Sequence, residues 1–228
     1  MQPARDLPRG KQVRINVSEG RVTGELVIPR APKGLVIFAH GSGTSHHNHP
    51  RSQYVARGLE ASDLATLSVE LLTEEEAHID RITTQLRLEM DLLEERINAV
   101  LDWVSGDRRV ASLKTGFYTE GTAAGAVMRA AAKTPEKFLA VVSRGGRPDL
   151  ALGTLREVTT PTMLIVGIRD LQRLELNRSA LEKLAGPKRL EIVQGASSTF
   201  EETGAVERVS VLANAWFKRY MVGQKKPN

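Results

Sequence analysis

Five short loops of the sequence combine glycines with groups that can move protons or bind anions. Each of them directly follows an apolar run. The loops are residues 40–43 (His-Gly-Ser-Gly), 119–123 (Thr-Glu-Gly-Thr-Ala), 144–149 (Arg-Gly-Gly-Arg-Pro-Asp), 167–170 (Gly-Ile-Arg-Asp) and 195–200 (Gly-Ala-Ser-Ser-Thr-Phe). Histidine, hydroxyl and carboxylate groups are the usual participants in acid–base and nucleophilic catalysis. We therefore take these loops as the candidate functional site.

A group of histidines lies just after the first of these loops, and it offers a second kind of chemistry. His46 and His49 could approach one metal ion, with Glu70 as a third ligand. However, their spacing matches no standard zinc motif. The alternative is a solvated polar loop that includes His47. Because the loop lies over the expected pocket, contact with a substrate is a further possibility. We expect no bound metal and no cofactor.

Two arginines give the third loop a separate capacity to bind anions. A guanidinium pairs bidentately with a carboxylate or a phosphate, so Arg144 and Arg147 could hold an anionic ligand. The alternative is that Arg147 pairs with Asp149 and ties down the turn. Both interpretations are open from the residues alone.

The apolar runs before the loops predict β-strands that are buried on both faces, as in a parallel sheet. These runs are residues 35–38, 64–69, 114–118, 138–142, 163–166 and 190–193. Longer segments with helical periodicity lie between them, at residues 50–61, 84–104, 123–133, 174–185 and 205–221. This alternation predicts βαβ units with right-handed crossovers, which bring the carboxyl ends of the strands, and the loops, to one edge of the sheet.

The remaining segments complete the expected architecture. Residues 12–17 and 22–28 alternate apolar and polar side chains around a Glu-Gly turn, which predicts an antiparallel hairpin. Residues 74–76 are all glutamate, as expected for the first turn of a helix. We predict one α/β domain over residues 1–228. It has a doubly wound, mostly parallel sheet with helices on both faces, an N-terminal hairpin and flexible tails at residues 1–10 and 222–228.

Composition and charge exclude several classes of protein. The chain has 228 residues, of which 41% are hydrophobic and 26% charged, and it has no cysteine. Its net charge of +5 resides in the ends, because residues 1–14 carry +3 and residues 218–228 carry +4, which leaves the body at −2. That distribution and the 4% aromatic content argue against nucleic-acid binding. Without a long apolar run or a signal peptide, we expect a cytoplasmic protein that does not bind membranes.

The order of the loops resembles that of α/β-hydrolases of the dienelactone-hydrolase type, over about Val22 to Tyr220. In that family His-Gly after the third strand helps to form an oxyanion hole. The nucleophile stands on a strained elbow, G-x-Ser/Cys-x-G, between a strand and a helix. An aspartate follows a later strand, and a histidine near the C-terminus is the base. The resemblance implies an α/β-hydrolase fold and a site at these four places.

Two of the four family residues are different in this chain. His40 with Gly41 matches the oxyanion loop, and Asp170 matches the acid. Gly121 stands where the nucleophile belongs and Ser198 where the base belongs. The chain also has no histidine after residue 78. The resemblance therefore implies a pseudoenzyme that has kept the scaffold and lost the Ser-His pair.

Two functions follow from this degenerate triad. The first is a protein that binds a small molecule or a protein partner in the cleft, without serine-hydrolase activity. Its expected ligand-binding residues are His40, Gly41, Ser42, Glu120, Thr122 and Arg144. The second is an active hydrolase with a rearranged or metal-assisted site, in which Glu120 or a histidine at 46, 47 or 49 replaces the base. In the first, Thr122 could cap the following helix and loop amides hold the Asp170 carboxylate.

Overall fold

Eight β-strands form one sheet in the computed structural model, which describes residues 10–41 and 50–222. The strands are β1 (Lys11–Val17), β2 (Gly20–Val27), β3 (Leu35–His40), β4 (Ala65–Glu70), β5 (Thr115–Gly121), β6 (Val141–Gly146), β7 (Thr162–Gly167) and β8 (Lys188–Val193). Their order in the sheet is β1-β2-β4-β3-β5-β6-β7-β8. β1 and β2 form an antiparallel hairpin and β2 is antiparallel to β4, whereas β3 to β8 are parallel.

Helices cover both faces of this sheet. They are α1 (Pro50–Glu60), α2 (Glu74–Thr83), α3 (Met90–Gly106), α4 (Ala123–Lys133), α5 (Leu171–Lys183) and α6 (Ala205–Phe217). Helices α1 and α6 contribute to one apolar cluster, and α3, α4 and α5 to the other. The predicted doubly wound α/β fold with an N-terminal hairpin is therefore confirmed. In the described part of the chain, no helix is long and apolar enough to cross a membrane.

The central strands are buried along their whole length, which explains why their sequences are continuously apolar. Every residue of β3 is buried: Leu35 and Ile37 face one cluster, and Val36 and Phe38 face the other. Because side chains alternate along a strand, both clusters need apolar residues from each central strand. The edge strand β8 differs, since it begins with charged, exposed residues.

The predicted helix over residues 84–104 is wrong at its start. The structure ends α2 at Thr83, and Thr84 adopts a left-handed conformation with φ of 56°. A 3-10 turn (Leu86–Leu88) follows before α3 begins at Met90. The buried Asp80 carboxylate fixes this turn, because it accepts hydrogen bonds from the amide and Nε of Arg87 at 3.0 and 2.7 Å.

Smaller differences occur at other element ends. Strand β6 begins at Val141 rather than at 138, because a 3-10 turn (Pro135–Lys137) precedes it. Helix α3 extends to Gly106, two residues beyond the predicted end at 104. The segment after α6 continues as a π turn (Lys218–Val222). The acidic first turn of α2 is confirmed, with Thr73 and Glu76 forming a reciprocal capping box. Apart from residues 10 and 222, the predicted tails lie outside the described residues.

Candidate functional site

The sheet has a topological switch point between β3 and β5. The chain leaves β3 for β4 on one side, whereas β5 begins the series of strands on the other side. Ligands of open α/β sheets bind in the crevice outside the carboxyl ends of strands at such a point. A cleft of about 330 Å³ lies there, lined by His40, Gly41, Arg87, Glu120, Gly121, Thr122, Arg147 and Arg173.

Gly121 forms the tight turn between β5 and α4. Its φ is +56°, a left-handed conformation that glycine adopts at no steric cost. A Cβ atom placed on it would meet no atom of the described residues within 4 Å. The Gly121 carbonyl accepts a hydrogen bond from the Arg147 amide at 2.8 Å, which fixes the turn. The backbone at 121 therefore has the form of a strand-to-helix elbow, and the described residues leave space where a side chain would project.

The loop after β3 packs directly on the N-terminus of α4. A Cβ on Gly41 would lie 3.1 Å from the Ala123 amide nitrogen and 3.2 Å from Thr122 Oγ1, so only a very small residue fits easily. The first amides of a helix have no partner within it and are donors for an anion. Thr122 occupies the N-cap position, but its side chain accepts no capping hydrogen bond. The expectation that Thr122 caps α4 through its hydroxyl is therefore wrong.

A buried polar network lies beside the elbow. The Glu120 carboxylate accepts a hydrogen bond from the Ser52 hydroxyl and forms an ion pair with the Arg144 guanidinium. Arg144 Nε also donates to the Tyr118 hydroxyl at 3.0 Å, and its guanidinium lies 5.3 Å from the centre of the Phe200 ring. The Arg144 side chain is only 6% exposed and does not line the cleft. Its contacts hold Glu120 in place.

His40 lies at the end of β3 and is buried against its neighbours. Its Nε2 is 3.0 Å from Ser68 Oγ, and its Nδ1 is 3.4 Å from Glu120 Oε1. Burial, together with the positive charge of Arg144, lowers the pKa of His40 to about 3. The imidazole is therefore neutral at pH 7. On the adjacent strand, burial raises the pKa of Glu70 to about 8, because a carboxylate is disfavoured away from water.

We expect His40 to make the fold sensitive to acid. In the unfolded chain its imidazole takes up a proton near pH 6.5, but in the folded chain only near pH 3. The free energy of unfolding should therefore fall as the pH drops from 6.5 towards 3, by up to about 1.4 kcal/mol per pH unit. Denaturant unfolding across this range should show a shallower pH dependence for His40→Gln than for the unmodified protein.

The matched control is His78→Gln, which changes an exposed histidine on α2. It should keep the full acid dependence. The raised pKa of Glu70 acts in the opposite sense, because its contribution is lost as the pH rises towards 8. Equal slopes for His40→Gln and the unmodified protein would contradict the prediction.

Asp170 and Ser198 follow β7 and β8 at the same edge of the sheet. The Asp170 carboxylate accepts a hydrogen bond from the Arg173 amide at 3.1 Å and pairs with Arg173 Nε at 3.2 Å, so it caps α5. Ser198 is exposed, and its carbonyl oxygen lies 3.5 Å from a Cβ placed on Gly145. Neither residue lines the cleft that contains Gly121. The structure thus brings His40 and Gly121 together and leaves these two beside them.

Two cleft residues were missed by the sequence analysis. Arg87 lies on the 3-10 turn that replaces the start of the predicted helix, and Arg173 lies in the first turn of α5. A third arginine, Arg147, also lines the cleft, and its guanidinium binds the Asp149 carboxylate through Nε and Nη2. The turn-fixing interpretation of that pair is therefore confirmed. The pairing does not remove Arg147 from the cleft.

Several candidate residues lie outside the described part of the chain. They are Ser42, His46, His47 and His49. Within residues 10–41 and 50–222, no group of three or more histidine, aspartate or glutamate side chains is arranged to hold a metal ion.

Comparisons with known proteins agree with this architecture. No protein-family model matches the chain. The crystal structure of dienelactone hydrolase from Anabaena variabilis is 46% identical, with a TM-score of 0.90, and the match covers 94% of this chain and 99% of that one. Est1E from Butyrivibrio proteoclasticus, 13% identical with a TM-score of 0.78 over 94% of this chain and 100% of its own, shares the fold.

A curated relative from Mycobacterium tuberculosis strain H37Rv carries the name "Putative phosphoribosyl transferase". It is 42% identical over 215 residues, which are 94% of this chain and 47% of the relative. The chain therefore spans about half the length of the curated relatives that it matches.

Proposed function

The chain belongs to the dienelactone hydrolase family, and we propose that it binds a small ligand in the cleft beside Gly121 without acting as a serine hydrolase. The observation that carries this proposal is the elbow itself. Its backbone has the left-handed turn of a nucleophile position, but the residue there is glycine and offers no nucleophile. A binding protein needs only a shaped cleft and a few polar groups, which this edge of the sheet supplies.

The other two triad positions support the same proposal. Ser198 is the residue that the family resemblance aligns with the base, and no histidine follows residue 78. The Asp170 carboxylate binds the start of α5 and Arg173. Glu120 is the carboxylate closest in sequence to the elbow, but it is already engaged by Arg144 and Ser52. That engagement argues against Glu120 as a replacement base in the alternative of a rearranged hydrolase. Phosphoribosyl transfer, the activity in the name of the M. tuberculosis relatives, is not part of this proposal.

The first test is covalent labelling by a fluorophosphonate probe. The purified chain should remain unlabelled, and p-nitrophenyl acetate should turn over no faster than with heat-denatured protein, since Gly121 supplies no hydroxyl at the elbow. An active serine hydrolase of the same fold serves as the positive control. Stoichiometric labelling of any serine or threonine would overturn the proposal. Ester turnover that EDTA abolishes would instead favour the metal-assisted hydrolase.

A further inference from the structure

Three arginines from three separate elements converge on the cleft beside Gly121. Arg87 comes from the 3-10 turn before α3, Arg147 from the loop after β6, and Arg173 from the first turn of α5. Their side chains are 29%, 33% and 29% exposed. They are thus partly buried and held by neighbours, and binding a ligand requires little additional ordering of these side chains.

Each of the first two guanidinium groups is oriented by a carboxylate and keeps donors for a ligand. Arg87 donates through Nε to Asp80 Oδ2 and through Nη2 to the Asp80 carbonyl, at 2.7 and 3.3 Å. Arg147 donates through Nε and Nη2 to Asp149 at 2.9 and 2.7 Å. A guanidinium has five N–H groups. Among the described residues, the Nη1 atoms of both arginines make no hydrogen bond.

Arg173 follows the same pattern. Its Nε pairs with Asp170 at 3.2 Å, and its Nη1 donates to the Gly145 carbonyl at 2.7 Å. Its Nη2 makes no hydrogen bond within residues 10–41 and 50–222. Because three aspartates already balance these three charges, a ligand here would be held mainly by directed N–H donors.

The N-terminus of α4 lies at the same cleft. Thr122 and Gly121 line it, and the N-terminus of a helix favours a negative group because of its aligned peptide dipoles. Gly41 packs against the start of α4, and no atom of the described residues lies within 4 Å of a Cβ placed on Gly121. Within residues 10–41 and 50–222, three arginines and the start of α4 line a cleft whose one acidic residue, Glu120, is paired with Arg144.

We propose, building on the ligand-binding function above, that this cleft binds the phosphoryl group of a small phosphate monoester. A phosphoryl dianion has three terminal oxygens in a tetrahedral arrangement, so it can accept hydrogen bonds from several directions at once. A carboxylate has two oxygens in one plane, and one guanidinium can bind both of them through two parallel hydrogen bonds. Donors that converge from three elements and a helix N-terminus fit the first geometry better than the second.

The experiment is isothermal titration of the full chain with phenyl phosphate and, separately, with benzoate, which has the same ring but a planar anion. Phenyl phosphate should bind at least about tenfold more tightly. Arg147→Gln, Arg87→Gln and Arg173→Gln should each weaken phenyl phosphate binding by about tenfold or more, since each removes a charge-assisted hydrogen bond. The matched control is Arg109→Gln, which removes an arginine paired with Asp107 outside the cleft and should leave binding unchanged.

The outcomes separate this inference from the proposed function. Benzoate binding that equals or exceeds phenyl phosphate binding would overturn the phosphoryl assignment and leave a ligand-binding cleft in place. Absence of phenyl phosphate binding to the unmodified chain would also overturn it, whereas fluorophosphonate labelling bears only on the proposed function. Circular dichroism melting curves identify any arginine variant that fails to fold. If one does, the other two variants still decide the result.

Discussion

The double variant Gly121→Ser with Ser198→His is expected to become labelled by a fluorophosphonate probe, at a rate at least about 100-fold above either single variant. A base positioned next to a hydroxyl contributes about 10²–10⁴-fold, and the members of such a unit are strongly non-additive. The elbow has room for the serine, because a Cβ on Gly121 meets no atom of the described residues within 4 Å. The serine must accept φ near +56°, which costs about 1–3 kcal/mol.

The two single variants are the internal controls. Gly121→Ser alone supplies a hydroxyl without a base, and Ser198→His alone supplies a base without a nucleophile, so neither should react. Equal labelling of Gly121→Ser alone would show that another group, such as Glu120, already serves as a base. A folded double variant without labelling would mean that position 198 is not equivalent to the family's base.

The largest effect on stability is expected at the ion pair beside the elbow. Glu120→Ala should lower the free energy of unfolding by about 3 kcal/mol, because removal of one partner of a buried pair leaves the other charge uncompensated. The Arg144 side chain is 6% exposed, and this change leaves it with the Tyr118 hydroxyl and the Phe200 ring as polar and aromatic partners among the described residues. Urea unfolding monitored by circular dichroism measures the difference.

Two further variants test the cause of that loss. Lys33→Ala removes an exposed ion pair with Asp63 and should cost less than about 1 kcal/mol. The double variant Glu120→Met with Arg144→Met should recover much of the stability lost in Glu120→Ala, since it removes both charges together. A Glu120→Ala protein within about 1 kcal/mol of the unmodified chain would show that solvent compensates Arg144.

The β-sheet could be predicted from the sequence because each buried strand is recognised from its own consecutive residues. A strand covered on both faces must be apolar at consecutive positions, and β3 shows this over all its residues. The start of α3 was not predictable in the same way. Leu86 fits the helical spacing of the residues that follow it, but the left-handed Thr84 and the buried Asp80 carboxylate place it on a separate turn. The Asp80 carboxylate holds Arg87 through a tertiary contact, and the spacing of apolar residues gives no information about such contacts.

Some residues of the candidate site could be predicted from the sequence in the same way, and others could not. Gly121 and His40 could be located from the sequence because each ends a strand, and parallel strands bring their carboxyl ends to one edge. The role of Arg144 could not be read from its position, because its burial depends on Glu120 from a different strand. Arg87 gave no signal either, since its turn lay inside a segment with helical spacing. Which residues face a cleft is decided by contacts between elements.

The left-handed turn at position 121 also bears on how many substitutions the chain can tolerate. A residue with a Cβ at this φ would lower the free energy of unfolding by about 1–3 kcal/mol, and glycine does not have this cost. Folded domains typically have a free energy of unfolding of about 5–15 kcal/mol, and an average substitution lowers it by about 1 kcal/mol. With glycine at position 121, the chain can therefore accept about one to three more average substitutions before it unfolds than it could with serine there.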